Sequence, residues 1–173
     1  MQTIQFVREQ LKQNREFLEG TLADVGDKEA HATPPGILNP IAATYAHLVA
    51  GEDGFVNGLL RGGAPLFATS WAGRTGLGEP PPDGPDWGDW GRRVKVDLAQ
   101  LREYAGAVAA STDEWLATLS PDALDRVIDL SSFGFGERSL AWVLGGAVIG
   151  HLQAHWGEIC ALKGLRGGKG FPA

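Results

Sequence analysis

Residues 139–164 read SLAWVLGGAVIGHLQAHWGEICALKG. Leu144, Val148, His151, His155, Ile159 and Leu162 recur at three- and four-residue steps, which is the spacing of one face of an α-helix. Ser139 stands where an N-cap is wanted, and Gly164 with the following glycine-rich tail stops the pattern near Lys163. This is the last long helix, and it carries two histidines on the stripe that packs inward.

Three more helices are expected upstream. From Thr3, a candidate N-cap, to Gly20, the residues Ile4, Val7, Leu11 and Leu18 form one face. A connection containing Pro34, Pro35 and Gly36 then closes on Asn39-Pro40, a cap residue followed by proline at the first helical position. The second helix runs to about Leu60, with Ile41, Tyr45, Leu48, Phe55 and Leu59 on one stripe and Ala43, Ala46, Ala50, Gly51 and Gly54 on the other side. Residues 62–90 hold seven glycines, five prolines and three tryptophans and read as one long loop. Leu98, Leu101, Ala105, Val108, Trp115 and Leu119 make the third helix, ending at Ser120-Pro121. Val127–Leu130 and the SSFGFGER that follows read as a short hairpin around a glycine turn. The fold class is all-α, a four-helix bundle whose ligand sites are built from inward-facing side chains, in a single domain spanning residues 1–173.

Composition narrows the function. A net charge of −6 and the absence of a basic stripe argue against nucleic acid as a partner. Hydrophobic residues at 43% and charged residues at 21% are ordinary for a soluble globular chain, and nothing in them suggests a membrane span. The N-terminus lacks the apolar run of a signal peptide, and a single cysteine, Cys160, excludes a disulfide framework. A cytoplasmic location and a small-molecule ligand are expected.

His151 and His155 stand four residues apart, so their Cβ atoms lie ~5–6 Å from each other on one helix face, within reach of one metal ion. His47, inside the second helix and surrounded by small residues, supplies a third imidazole. Against this stands the reading in which each histidine only fills the core. HExxH is not present, nor are a nucleophile elbow, a P-loop or a dinucleotide fingerprint, so protease, kinase and Rossmann chemistries lack their parts. Cys160 lies about 140° around the helix from His155 and reads as core filler.

With YAHLVAGED at residues 45–53, a long third helix, a hairpin-like piece and HLQAHWGEI at residues 151–159, nearly the whole chain resembles the DinB-like metal-binding four-helix bundles. That fold is shared with bacillithiol transferases and mycothiol-dependent isomerases. The resemblance implies a divalent metal on His47, His151 and His155. Ala154 and Glu158 stand where many relatives carry a further histidine and a glutamine.

Three imidazoles leave a coordination position open, the arrangement of a catalytic site. Zinc, nickel, iron and copper all accept such a donor set, with zinc or nickel first and iron after them. The resemblance further implies a transferase that activates a low-molecular-weight thiol. The competing reading is a noncatalytic metal-binding or structural bundle, closed by a fourth ligand for which His31 is the remaining histidine. Glu158 reads first as a solvated glutamate near a helix end and second as a partner for His155, and Glu52 and Asp53 have the same standing. Trp71, Trp87 and Trp90 read as anchors for the loop, with a pocket mouth as the alternative, and Trp156 as core. The apolar bundle faces also leave room for a homodimer.

Overall fold

Four long helical rods enclose the core in the computed structural model, which describes residues 3–84 and 86–171. The first is α1 (Thr3–Leu22), and a short α2 (Asp27–Ala30) follows it. The second rod is α3 (Ile41–Asp53), prolonged without a break by a π-helical segment, Gly54–Leu60. After the connection comes α4 (Trp87–Arg93), and then the third rod, α5 (Leu98–Thr118). An antiparallel hairpin of β1 (Val127–Leu130) and β2 (Gly136–Ser139) leads into the fourth rod, composed of α6 (Leu140–Trp142), a π-helical segment Val143–Gly150 and α7 (His151–Leu165). Within the bundle α1 packs on α5 and α7, and α3 packs on the same two.

The all-α bundle and the hairpin are as the periodicity predicts. The strands pair Leu130 with Gly136 and Val127 with Ser139, and Ser139 Oγ caps the last rod by accepting from the Trp142 N–H at 3.2 Å. The inward stripe also holds, with Leu144, Val148, Ile159 and Leu162 buried. At the other ends the boundaries shift. Thr3 lies inside α1 rather than at its cap. Pro40, not Asn39, occupies the cap position of α3.

The stripe expected on the second helix fails beyond Asp53. Val56 and Leu60 are buried, whereas Leu59 is 41% exposed and Phe55 only half-buried. A π turn bonds i to i+5 and takes in an extra residue, so the buried face slips by one position. Nor is α3 amphipathic. Ala42, Ala43, Thr44, Ala46, Val49 and Ala50 are buried along with Ile41, Tyr45 and Leu48, the mark of a helix enclosed on all sides. Its outer side is covered by α2, α4 and the connecting segment.

That segment is more ordered than a plain loop. Trp90 is fully buried and donates its indole N–H to the Pro80 carbonyl at 2.9 Å. Burying an indole contributes about 4–6 kcal/mol, which outweighs the roughly 1 kcal/mol that Gly88 and Gly91 each cost a helix. The loop closes onto α5 where the Asp97 N–H donates to the Gly76 carbonyl at 2.8 Å. Gly76 has φ +77°, and a Cβ there would lie 2.5 Å from the Asp97 carbonyl oxygen, so only glycine fits.

Candidate metal centre

His47 projects from α3, and His151 and His155 from the first two turns of α7. Folding brings the three together: one ligand nitrogen from each lies within 4.8 Å of the others. His47 Nε2 and His151 Nε2 are 2.9 Å apart, and the ring centroids are separated by 4.9, 4.9 and 4.6 Å. No other such cluster of histidine, cysteine and carboxylate groups occurs among the described residues. Small neighbours make the approach feasible, since a Cβ added at Gly51 would already touch the His151 ring at 3.8 Å.

Burial, followed by the neighbouring His151 and His155, pushes the His47 pKa down to about 3. Burial and His155 likewise lower His151 to about 4. Both rings are therefore neutral at pH 7, the form a metal requires. Two neutral Nε2 atoms facing each other are satisfied by one shared proton or by one cation. His47 Nδ1, the ring nitrogen not engaged with His151, is buried with no hydrogen-bond partner. At Zn–N distances of ~2.0–2.1 Å, two ligands of a tetrahedral ion lie about 3.3 Å apart, between the 2.9 Å contact and the 4.8 Å limit of the set. The donor set fits a divalent transition metal.

Glu158 departs from its first reading. Its Oε2 accepts from His155 Nδ1 at 2.7 Å, which leaves the opposite nitrogen of that ring for the cluster, and its side chain is only 25% exposed. The three-residue spacing was the available signal. Glu52 and Asp53 are not solvated either. Glu52 is paired with Arg15 and accepts from Thr112 Oγ1 at 2.6 Å. Asp53, wholly buried, accepts from Asn57, the Leu66 and Phe67 backbone N–H groups and the Tyr104 hydroxyl at 2.6–2.9 Å. It ties the start of the loop to α3 and α5.

His31 does not join the cluster, because its ring nitrogens contact the carbonyls of Asp27 and Val96 at 2.8 and 3.0 Å. Cys160 is half-buried and stands outside it. The tryptophans divide: Trp71 packs on Tyr104 and Trp90 is core, but Trp87 sets its ring against His47 at 4.6 Å. Trp156 is half-buried, stacked on Phe17 at 5.5 Å. A cavity of about 1400 Å³ reaches His47 and His151 and is lined also by Trp87, Phe55, Phe67 and Glu52. No helix among the described residues is long and apolar enough to cross a membrane.

A family profile described as the DinB superfamily matches residues 10–159, and the chain belongs to that superfamily. The crystal structure of a conserved protein from Enterococcus faecalis superposes with a TM-score of 0.73 at 23% identity, covering 90% of this chain and 91% of that one. No curated protein matches the sequence.

Proposed function

We propose that this DinB-superfamily chain is a metal-dependent transferase, with His47, His151 and His155 holding one divalent transition metal and a small-molecule thiol as the activated substrate. The observation that carries the reading is a convergent set of three imidazoles with no carboxylate or cysteine among them, two of which, His47 and His151, face a cavity. Such a set leaves a coordination position for a ligand from solution. When bound, the metal supplies Lewis acidity and favours the thiolate, the nucleophilic form of the thiol.

The chain's own groups do the rest. Glu158 fixes the tautomer and direction of His155. Trp87 packs its indole against His47 and keeps water from that side of the ring. Cys160 is not needed as a nucleophile, since the thiol comes from solution. Zinc and nickel are the first candidates for the ion, and iron follows.

Elemental analysis of untagged, chelator-free protein tests the site. Near one equivalent of metal is expected for the parent, and none for a variant carrying His151→Ala and His155→Ala. Loss of thiol in the presence of an electrophile then tests the transferase. Metal without thiol consumption leaves the noncatalytic metal-binding reading, and no metal under any loading refutes the proposal.

A further inference from the structure

Away from the histidines the cavity is walled by aromatic side chains from three elements. Phe133 and Phe135 come from the hairpin tip, Phe55 from the π segment after α3, and Trp142 from the start of the last rod. Phe55 meets Phe133 edge to face at 5.8 Å, and Phe135 meets Trp142 at 5.6 Å. The guanidinium of Arg138 lies 5.3 Å from the Trp142 ring and Gly146 leaves space beside it, a Cβ there reaching the indole at 3.8 Å. These rings are held in place by one another and yet remain open to solvent: Phe133 is 54% exposed, Phe135 48% and Trp142 41%.

The arginines that line this cavity are not free to bind an anion. Of its lining cations, Arg15 is paired with Glu52 and Arg102 with Glu19, so neither is free to meet a phosphate or carboxylate. Recesses that bind small molecules are mostly apolar, with volumes of about 300–1,000 Å³, and the 1400 Å³ here holds such a molecule beside a thiol. A protein partner would need about 800 Å² of complementary surface on each side, whereas these rings converge on a recess that leads to His47.

Resting on the thiol-transfer reading, we infer that the acceptor is an uncharged aromatic electrophile, seated against Phe55, Phe133, Phe135 and Trp142 with its reacting carbon toward His47 and His151; the thiolate forms a carbon–sulfur bond there as the bond from that carbon to its leaving group breaks, and the thiol proton and the leaving anion pass to solvent. The aromatic walls supply stacking and edge-to-face contacts. The glycines along the last rod keep the floor open.

The test is a titration of the full chain, zinc-loaded and metal-free, with the neutral fluorophore N-phenyl-1-naphthylamine. Saturable binding of one probe per chain with a rise in emission is expected in both forms. A variant carrying Phe133→Ala and Phe135→Ala should bind it about tenfold more weakly. Both positions are half exposed, so the variant folds, as far-ultraviolet circular dichroism would verify. No saturable binding, or equal affinity in the variant, overturns the inference. So does size-exclusion chromatography showing a parent dimer that the double variant breaks into monomers, because the rings would then be an interface. Calorimetric zinc binding is measured alongside: if it fails while the probe binds, the metal reading falls and the aromatic site stands, and the reverse result removes only the aromatic site.

Discussion

Replacing Glu158 by alanine separates a positioning role from a structural one. In the parent, Glu158 Oε2 accepts from His155 Nδ1 at 2.7 Å, and the two side chains are 25% and 29% exposed. Without that acceptor the imidazole is free to rotate about its side-chain bonds and to carry its proton on either nitrogen. Loss of such an orienting partner lowers metal affinity by 10–100-fold, which is ~1.4–2.7 kcal/mol. The effect on folding should be smaller, because one partly exposed hydrogen bond contributes about 0.5–1.5 kcal/mol and each kcal/mol moves the melting temperature by roughly 2–4 °C in a chain of this size. Glu158→Gln should fall between parent and alanine variant, since its amide oxygen still accepts the hydrogen bond but carries no charge. Zinc affinity is read by competition with a chromophoric chelator near neutral pH, and stability by thermal circular dichroism of the metal-free proteins. An alanine variant within twofold of the parent's affinity contradicts a positioning role for Glu158, as does an affinity loss fully accounted for by a fall in melting temperature.

Two further outcomes follow from the buried polar groups. Asp53→Ala strands four donors, those of Asn57, Leu66, Phe67 and Tyr104, and should cost about 3–5 kcal/mol, seen in thermal melts as a drop of roughly 6–20 °C; a loss under about 1 kcal/mol contradicts the network. The metal-free protein should lose stability on acidification. His47 and His151 titrate near 3 and 4 in the folded state against an ordinary 6.5, so below pH 6.5 the unfolded chain takes up protons that the folded chain does not. Stability is then fully present above 6.5 and falls through pH 4 toward pH 3, and His47→Gln should flatten that slope in denaturant titrations at a series of pH values. Identical slopes for parent and variant would show that His47 is not buried in its neutral form.

Much of the fold was readable because helical periodicity is a local property. Four helices, the hairpin and the Ser139 cap follow from spacing and turn chemistry, and so does the facing of His151 and His155. What went unread depends on neighbours distant in sequence. The slip from Leu59 to Leu60 on the second rod comes from a π segment whose backbone pattern no apolar spacing announces. The helix around Trp90 forms in a glycine-rich stretch because its indole is buried under the bundle, an energy that local propensity does not contain. Glu158 bore a usable signal in its spacing from His155, but the same spacing suits a solvated glutamate, and burial decides between the two.

The class of chain and the three candidate histidines are legible locally, since residue type and helical phase need no partner to be read. The placement of α3 beside α7, with His47 Nε2 2.9 Å from His151 Nε2, emerges from packing alone. Tertiary contacts alone separate Trp87, which packs on His47, from Trp71 and Trp90, which anchor the loop. The physical reason is that convergence depends on which helices pack together and at what rotation, and that is settled by the whole core rather than by any segment of it.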